Sequence, residues 1–389
     1  MKIVHIEDYF HPDAGYQINI LPKYLSKFGH SQTIITSEMK KIPEELTSFF
    51  GKTNIDERDR VYEKENGVKI IRLPLITFLS GRAVFGLGLE YKLKKLKPDV
   101  IYVHGNDTLT GIRVILLRQL FSCRIVTDSH MLEMASKNKF NELFRNWYKL
   151  FITPIIKKNN IPVIRTQDDM YVEKCLGIPI KRAPWISYGS DVLLFHKDEK
   201  KKNNFRKKYN IENEALVIVY AGKLDESKGG LLLADAFKHR FEEREVVLIV
   251  VGNTIGEYGD KVEETFEQSE NRIIRFPTQK YIDLAKFYQV ADICVFAKQC
   301  SLSFYDAQAC GLPVIAEDNN INKDRCSHDN GWVFKQGDKN DLRKTIIAVS
   351  KMDSAVFSTY VDNAERFIRD NYNYETKARE YEQLLVGEK

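Results

Sequence analysis

Two lysines in a loop that follows a predicted strand could bind an anion. Lys223 and Lys228 lie within the glycine-bearing segment GKLDESKGG, residues 222–230, which follows Leu216–Ala221, an apolar run typical of a buried strand. Fixed cations at the end of a strand can stabilise the negative charge that develops on a departing diphosphate without a metal. A solvated loop with two surface lysines is the alternative, and these residues alone leave both interpretations open.

A second stretch offers backbone donors and a carboxylate. Residues 302–315 read LSFYDAQACGLPVI, with small residues at helical spacing (Ala307, Ala309 and Gly311) and Asp306 in the first turn. The N-terminus of such a helix presents unpaired N–H groups and the positive end of the helix dipole to an anion. Asp306 could also accept from a sugar hydroxyl. The alternative is a tightly packed strand–helix unit that binds nothing.

This stretch resembles the signature of the retaining nucleotide-sugar glycosyltransferases of the GT-B fold, the large family four, or group 1. Their pattern is a Glu, seven residues, a second Glu, and then Ala-x-Ala-Cys-Gly-x-Pro-Val-Ile. Asp306 falls on the second Glu, and Lys298 falls on the first, which is a departure. Lys223 and Lys228 match the family's Gly-Arg-x-x-x-x-Lys-Gly, with Lys223 in place of the Arg. The resemblance implies that this pair binds the diphosphate and that Asp306 accepts from the ribose hydroxyls.

The resemblance also implies the rest of the donor site. Backbone N–H groups around Leu302–Phe304 would meet the diphosphate, and the base would lie near residues 252–253 and 275–277. Gly15 stands in the first loop of the chain, where the family often has two glycines. The residues predicted to bind the donor are Gly15, Lys223, Lys228, Gly252, Asn253, Phe276, Lys298, Ser301, Leu302, Ser303, Phe304 and Asp306.

Lys298 raises a question of chemistry, because an ammonium group cannot accept a hydrogen bond. The resemblance implies an acceptor there for the donor sugar. Gln299 or Ser301 could supply that acceptor instead, which is the account we favour. The donor or acceptor could carry a negative charge that pairs with Lys298. The chain could also bind sugar nucleotides without efficient transfer.

Two histidines follow predicted strands. His130 comes just after the strand Arg124–Thr127, and His104 ends the strand at 98–104. The C-terminal ends of parallel strands are where ligands bind in open α/β sheets. The resemblance places a histidine beside the transferred sugar on this strand end. We therefore predict His130, Lys223 and Lys228 as catalytic and His104 as the weaker candidate; the alternative is that either histidine only packs or caps.

Length and composition fit two α/β domains. The chain has 389 residues with 43% hydrophobic and 29% charged residues, and its net charge of +5 does not call for nucleic acid. Six cysteines show no metal-ligand spacing and suggest reduced thiols. The N-terminus opens directly into a strand without a signal-peptide pattern, so a cytoplasmic protein is expected.

Strand, loop, helix and strand alternate twice along the chain, which predicts a doubly wound fold. The resemblance refines this to GT-B: two Rossmann-like domains with a deep cleft between them. We predict an N-terminal acceptor domain over 1–185, a donor domain over 186–365, and a terminal helix, about 366–389, that crosses back. Residues 37–66 are expected to be irregular, and the Lys/Asn-rich run 197–204 is expected to be a surface linker.

Two stretches interleave aromatic and aliphatic residues with Lys and Arg. They are Lys137–Asn160 and Phe78–Lys97. A basic amphipathic helix can lie on an anionic membrane surface. An ordinary helix with a solvated charged face is the equal alternative.

The resemblance implies a retaining, metal-independent, hexosyltransferase-type enzyme that uses a UDP- or GDP-linked sugar as co-substrate and no cofactor. The acceptor would be a glycan or a lipid-linked glycan, for example of a bacterial envelope polysaccharide. The alternatives are a non-catalytic nucleotide-sugar-binding protein on the same scaffold and a nucleotide-sugar epimerase. We find no pattern for a metal-dependent transferase, a Walker-type phosphate loop or a nucleic-acid-binding platform.

Overall fold

Two parallel sheets organise the chain. The computed structural model describes residues 1–42, 54–79, 82–131 and 141–387. The chain divides into unit 1, Met1–Tyr188 with Glu375–Lys389, and unit 2, Gly189–Tyr374.

Unit 1 contains a six-stranded sheet and a separate hairpin. The strands are β1 (Lys2–Ile6), β2 (Ser31–Ser37), β3 (Val68–Leu73), β4 (Leu75–Leu79), β5 (Arg82–Phe85), β6 (Val100–Val103), β7 (Arg124–Ser129) and β8 (Val163–Arg165). The parallel sheet has the order β3-β2-β1-β6-β7-β8, and β4 and β5 pair antiparallel. The helices are α1 (Gln17–Lys27), α2 (Ile55–Asn66), α3 (Gly88–Leu96), α4 (Leu109–Leu116), α5 (Asn141–Phe151), α6 (Thr153–Lys158) and α7 (Tyr171–Lys174).

Unit 2 repeats this architecture. Its strands are β9 (Leu216–Ala221), β10 (Val246–Val251), β11 (Arg272–Phe276), β12 (Ile293–Phe296), β13 (Val314–Glu317) and β14 (Gly331–Phe334). The sheet is parallel, in the order β11-β10-β9-β12-β13-β14. The helices are α8 (Glu199–Lys208), α9 (Gly230–Ala236), α10 (Gly256–Glu267), α11 (Tyr281–Tyr288), α12 (Ser303–Ala309), α13 (Asn320–Arg325), α14 (Lys339–Ser350) and α15 (Ser354–Asn371).

The central strands are apolar because helices cover both faces of a parallel sheet. Every residue of β9 and of β10 is buried. In both sheets the strand order reverses next to the first strand, between β1 and β6 in unit 1 and between β9 and β12 in unit 2. Loops that leave the carboxyl ends of such neighbours diverge and leave a crevice for a ligand. Each unit therefore has one such switch point.

The last helix, α16 (Tyr374–Val386), belongs almost wholly to unit 1. The Tyr381 hydroxyl donates to the carbonyl oxygen of Ile186 at 2.8 Å. Glu382 lies 2.6 Å from the Nε2 atom of His30, and the Arg379 guanidinium stacks on the ring of Phe28. A buried tyrosine hydrogen bond, a His–Glu contact and a cation–π contact thus hold α16 against the rest of unit 1.

The expectation of an irregular segment over residues 37–66 is wrong for its second part, because α2 occupies it. The Asn54 side chain accepts from the Glu57 N–H at 3.3 Å and caps the helix. Inside the charged helix Tyr62 is buried, and Asp59 pairs with Arg72 at 2.6 Å. Residues 43–53 of the same expectation lie outside the described part of the chain.

The expected surface linker at 197–204 is also wrong, because α8 begins at Glu199. Asp198 caps it by accepting from the Lys201 N–H at 2.9 Å. Near the end of the helix, the buried Arg206 donates to Asp292 at 2.8 Å. That bond anchors a helix whose other residues are mostly Lys and Asn.

The two basic stretches contain different elements. Phe78–Lys97 covers the end of β4, all of β5 and α3, apart from residues 80–81. Lys137–Asn160 covers α5 and α6, apart from residues 137–140. Those excepted residues lie outside the described part of the chain. Within the described residues no helix is both long and apolar enough to cross a membrane.

Candidate functional site

The loop of residues 222–230, which carries Lys223 and Lys228 and is called the lysine loop below, lies at the switch point of unit 2. It leaves the end of β9, and the loop that carries Lys298 leaves the end of its neighbour β12. Gly229 has a left-handed φ of 72°, and a Cβ atom there would lie only 3.0 Å from the Cβ of Lys298. The Lys298 Nζ atom donates to the carbonyl oxygen of Glu226 at 3.0 Å. The fold therefore brings the two loops into direct contact.

Lys228 is half-buried on this loop. Burial lowers the pKa of its ammonium group, and the neighbouring Lys223 lowers it further. Nearby Cys300 and Asp225 oppose that shift. Asp225 also caps the turn by accepting from the Lys228 N–H at 3.0 Å. A partly desolvated cation of this kind gains from an additional anion, because the ligand replaces lost hydration with a charge partner.

The next two strands bring the predicted base-side residues together. A Cβ atom at Gly252 would lie 2.0 Å from the carbonyl oxygen of Gly222, so only glycine permits this close approach. Asn253 and Thr278 exchange two hydrogen bonds, at 3.0 and 3.2 Å. Arg275 donates to the Gly252 carbonyl at 3.2 Å and so ties β11 to the end of β10. These contacts fix the edge of the sheet beside the lysine loop.

Phe276 ends β11 and takes part in an aromatic cluster. Its ring centroid lies 4.8 Å from that of Phe287 and 6.0 Å from that of Tyr209. The ring is half-buried, so packing accounts for part of its surface. A base-binding role for Phe276 stays a prediction.

The loop after β12 is held in an unusual conformation. Gln299 has a φ of +60°, a left-handed value that is uncommon without glycine. Its N–H donates to the Glu317 carboxylate at 3.0 Å, and its carbonyl oxygen accepts from Asn322 at 3.2 Å. Arg325 donates to the carbonyl oxygen of Ser301 at 3.0 Å. Bonds from β13 and α13 thus maintain the backbone strain, which occurs preferentially at ligand sites.

The first turn of α12 uses some of its own backbone donors. The Ser303 N–H donates to the Ser301 hydroxyl at 3.3 Å, and the Phe304 N–H donates to the Ser301 carbonyl at 3.4 Å. The Phe304 side chain is buried, and Leu302 is half-buried at the start of the helix. Two of the N–H groups that we predicted to meet the diphosphate thus donate to Ser301 in this structure.

Asp306 is 5% exposed and lies in α12. Its Oδ1 atom accepts from the Ser190 hydroxyl at 2.7 Å and from the Tyr281 hydroxyl at 3.2 Å. Burial raises the pKa of this carboxyl to about 7, the two hydrogen bonds oppose the shift, and the charge of Asp191 adds to it. Within the described residues both hydrogen bonds fall on Oδ1, so Oδ2 retains its acceptor capacity. The protein partners of Asp306 come from Ser190 and α11, not from the lysine loop.

In unit 1, His130 forms a pair with Asp128 just beyond the end of β7. The Nε2 atom lies 2.8 Å from the Asp128 carboxylate, and Nδ1 bonds the Tyr188 hydroxyl. The side chain remains 39% exposed. Burial lowers the pKa of the imidazole, but the carboxylate charge and hydrogen bond outweigh it and the net pKa is raised. Both ring nitrogens of His130 are thus held by the protein.

Asp128 collects four contacts. Besides His130 it accepts from the Tyr102 hydroxyl at 2.6 Å and the Gly105 N–H at 2.7 Å, and His104 Nδ1 lies 3.1 Å away. Burial would raise the pKa of the carboxyl, but the two imidazoles hold it well below its usual range. One ligand atom from each of His104, Asp128 and His130 lies within 4.8 Å of the others. Tyr102 and Gly105 thus hydrogen-bond the carboxylate, whereas the buried Nδ1 atom of His104 faces it without a hydrogen-bond partner within the described residues.

Other predicted and unpredicted residues lie at the same edge. Gly15 is in the loop between β1 and α1, two residues before Gln17. Glu7 follows β1 directly, and burial together with the charge of Asp8 raises the pKa of its carboxyl to about 8. The charge of His130 opposes that shift of the Glu7 pKa. The strand-end rule that selected His130 also selects Glu7, yet Glu7 was missed.

Two successive six-stranded sheets with a 3-2-1-4-5-6 order define a class, the two-domain α/β proteins of GT-B type. Residues 201–373 match the family described as glycosyl transferases group 1. The resemblance predicted from the sequence is confirmed.

The curated relatives of this chain include proteins named as glycosyltransferases. Lipopolysaccharide 1,2-N-acetylglucosaminetransferase of Salmonella typhimurium is 31% identical over 127 residues, which is 30% of this chain and 33% of that enzyme. Putative glycosyltransferase YtcC of Bacillus subtilis is 22% identical over 341 residues, 82% of this chain and 78% of that protein. The match thus spans a third of the first relative and most of the second.

Solved structures of the same fold align with nearly the whole chain. A glycosyltransferase from Rickettsia africae aligns with a TM-score of 0.75 at 15% identity, over 99% of this chain and 97% of that one. Anabaena Alr3699/HepE in complex with UDP aligns with a TM-score of 0.75 at 17% identity, over 99% of this chain and 100% of that one. The predicted GT-B fold is therefore confirmed. The binding roles of the individual site residues stay predictions.

Proposed function

We propose that the chain is a retaining, metal-independent glycosyltransferase that moves a sugar from a nucleotide diphosphate sugar to a glycan or lipid-linked acceptor. Unit 2 would bind the UDP- or GDP-linked donor, and unit 1 would recognise the acceptor. Retention of configuration is proposed from the family likeness. Envelope polysaccharide or glycoconjugate synthesis fits the lipopolysaccharide-related name of the Salmonella relative.

One observation carries this proposal: the cationic loop of unit 2 lies at the point where the strand order reverses. Lys228 is partly desolvated there, and the contact of Gly229 with Lys298 fixes the loop. A diphosphate needs fixed positive charge as it departs, and no metal is required if the protein supplies that charge. Anabaena Alr3699/HepE, which shares the fold, has been crystallised with UDP, with UDP and glucose, and with UDP-glucose.

The acceptor side of the proposal includes contact with a membrane surface through α5. Leu143, Trp147, Leu150 and Phe151 follow helical spacing i, i+4, i+7 and i+8, and all four are exposed. An apolar stripe of this kind buries its surface in the headgroup region of a bilayer, and nearby lysines attract anionic lipids. A lipid-linked acceptor would be presented at such a surface.

The decisive experiment separates phosphate recognition from nucleoside recognition. Calorimetric titration of wild-type protein, Lys228→Ala and the exposed control Lys261→Ala would use UDP, GDP, uridine and guanosine. We expect Lys228→Ala to weaken binding of UDP or of GDP, whichever the wild type binds, by at least about tenfold and to leave nucleoside binding unchanged. The Lys261→Ala protein should bind all four ligands as the wild type does. Equal loss for diphosphate and nucleoside would contradict the phosphate role.

Turnover is tested with isotope-labelled UDP- and GDP-sugars and a panel of glycan and lipid-linked acceptors. The anomeric configuration of the new linkage is then determined by NMR. Transfer with retention supports the proposal. Tight nucleotide binding without transfer or donor hydrolysis, or epimerised donor without acceptor, would replace it with one of the two alternative functions.

A further inference from the structure

Three side chains that can bind a metal converge in unit 1 where β6 and β7 end. Val103 of β6 pairs with Thr127 of β7, so His104, the residue after β6, lies level with Asp128. Asp128 and His130 are two residues apart at the end of β7, so their side chains leave the sheet on the same side. The strand register thus brings two imidazoles and a carboxylate together.

The distances among these groups fit a zinc ion. His104 Nδ1 and His130 Nε2 lie 3.1 and 2.8 Å from the Asp128 carboxylate, and one ligand atom of each residue lies within 4.8 Å of the other two. Zinc bonds of about 2.0 Å at tetrahedral angles separate neighbouring ligand atoms by about 3.3 Å. Both contacts to the carboxylate are within about half an ångström of that separation.

The Nδ1 atom of His104 is the observation that points to a ligand. The His104 side chain is 1% exposed, and its Nδ1 atom has no hydrogen-bond partner within the described residues. The same atom nevertheless faces a carboxylate oxygen of Asp128 at 3.1 Å. Buried polar atoms without a partner are uncommon, and an ion that completes the site is one reason for them. A divalent cation between the ring nitrogen and the carboxylate would bind lone pairs of both.

Groups of the protein hold the far side of each ligand. His104 Nε2 lies 3.1 Å from His5 Nδ1, and His130 Nδ1 bonds the Tyr188 hydroxyl. Two further hydrogen bonds hold the Asp128 carboxylate. Contacts of this kind fix the orientation of histidines and carboxylates that bind a metal. The three ligands are therefore oriented by the fold before any ion arrives.

We propose that His104, Asp128 and His130 form a binding site for one Zn²⁺ ion, with a water molecule as the fourth ligand. Zinc accepts imidazole nitrogen together with carboxylate oxygen, whereas Mg²⁺ and Ca²⁺ prefer oxygen ligands alone. The buried carboxylate attracts the cation, and the His130 side chain, which is 39% exposed, gives the ion a path from solvent.

The consequence of this site for transfer rests on the proposed function. His130 is the residue predicted to act beside the transferred sugar, and an ion on its Nε2 atom would occupy that nitrogen. The diphosphate needs no metal under the same proposal, because Lys223 and Lys228 of unit 2 supply the positive charge. Zinc is therefore expected to inhibit transfer, and its removal with EDTA is expected to restore transfer.

The binding test uses the full chain, freed of metal with EDTA and then titrated with Zn²⁺ in a calorimeter. We expect one Zn²⁺ per chain with a dissociation constant of about 1 μM or below. His104→Asn and His130→Asn each remove a ligand and should weaken binding at least about a hundredfold. The matched control is His239→Asn, an exposed histidine of unit 2, which should bind zinc as the wild type does.

Two further measurements distinguish ligation from general attraction of cations. Tyr188→Phe removes the hydroxyl that holds His130 Nδ1 but leaves all three ligands, so zinc affinity should fall about tenfold. Co²⁺ in place of zinc should give the visible bands of a four-coordinate ion without a thiolate band in the near ultraviolet. A thiolate band would overturn the proposal, because it places the metal on a cysteine.

The proposal is also overturned if the wild type binds no stoichiometric zinc, or if His130→Asn binds it as tightly as the wild type. Zinc should raise the melting temperature of the wild type and of His239→Asn but not that of His130→Asn, which checks folding and binding together. These measurements use neither nucleotide nor acceptor, so their outcome is independent of whether transfer is detected. Transfer that is lost in EDTA would contradict the inhibitory role.

Discussion

The substitution Asp306→Asn should make the protein more stable and a poorer binder of nucleotide. It keeps an amide oxygen in place of Oδ1, so the Ser190 and Tyr281 hydroxyls retain their acceptor. What the substitution removes is the ability to ionise. Burial makes that ionisation costly, because it raises the pKa of the carboxyl from 3.8 to about 7.

The magnitude and sign follow from linkage. An unfolded chain releases the Asp306 proton near its ordinary pKa, but the folded protein holds it until about pH 7. Ionisation therefore favours the unfolded state increasingly as the pH rises from about 4 to about 7. Roughly three units at about 1.4 kcal/mol each give a penalty on the order of 4 kcal/mol above pH 7 and almost none near pH 4. The Asp306→Asn variant avoids that penalty.

The assay is urea unfolding of the wild type, Asp306→Asn and the exposed control Asp260→Asn between pH 4.5 and 8. The free energy of unfolding of the Asp306→Asn protein should exceed that of wild type by about 2 to 4 kcal/mol at pH 8, with the difference shrinking towards pH 4.5. Asp260→Asn should show no such trend. A variant no more stable at pH 8 than at pH 4.5, relative to wild type, would refute the reasoning.

Binding is expected to move in the opposite direction. A carboxylate accepts a hydrogen bond from a ribose hydroxyl more strongly than an amide does, by roughly 1 to 2 kcal/mol. UDP or GDP affinity of Asp306→Asn should thus fall by about tenfold at pH 8, measured by calorimetry. Loss of both stability and affinity would mean that Asp306 only supports the fold.

Three further perturbations test the rest of the site. Glu7→Gln removes a carboxyl that ionises near pH 8, so the transfer rate of this variant should change less between pH 7 and pH 9 than that of the wild type. Lys298→Met breaks the bond to the lysine loop and should weaken UDP or GDP binding by about tenfold, a loss that calorimetry would detect. Trp147→Ser with Leu150→Ser should reduce sedimentation with anionic vesicles at an unchanged melting temperature, while Leu193→Ser, an exposed leucine of unit 2, should not.

Apolar periodicity predicted the two sheets well because parallel strands are buried on both faces. The charged helices are a different case. In α2 the sequence IDERDRVYEKEN has almost no apolar stripe, and the helix depends on burial of Tyr62 and on the Asp59–Arg72 pair. In α8 a single arginine, Arg206, provides the anchor to Asp292. A pattern search cannot detect a helix whose stability comes from one or two distant partners.

The candidate site divides in the same manner. The positions of Lys228 and His130 just beyond strand ends were predictable because a strand end is a local feature of the sequence. The partners of Asp306 were not, because Ser190 lies 116 residues away along the chain and Tyr281 comes from another helix. The support of Gln299 by Glu317 is equally non-local. The sequence thus predicts where functional groups emerge from the sheet, whereas their ionisation depends on neighbours that only the fold brings near.

The two parallel sheets share one strand order, but the charged groups at their edges differ, and this difference supports the roles proposed for the two units. Asp128 in unit 1 is a buried carboxylate with two imidazole neighbours, so groups of the protein itself offset the free-energy cost of burying its charge. Lys228 in unit 2 is different, since burial lowers its pKa more than Cys300 and Asp225 raise it. A cation left short of compensation stabilises an incoming diphosphate, whereas a compensated imidazole–carboxylate cluster can move a proton without attracting phosphate. Donor binding in unit 2 and acceptor chemistry in unit 1 are therefore what these two charge balances favour.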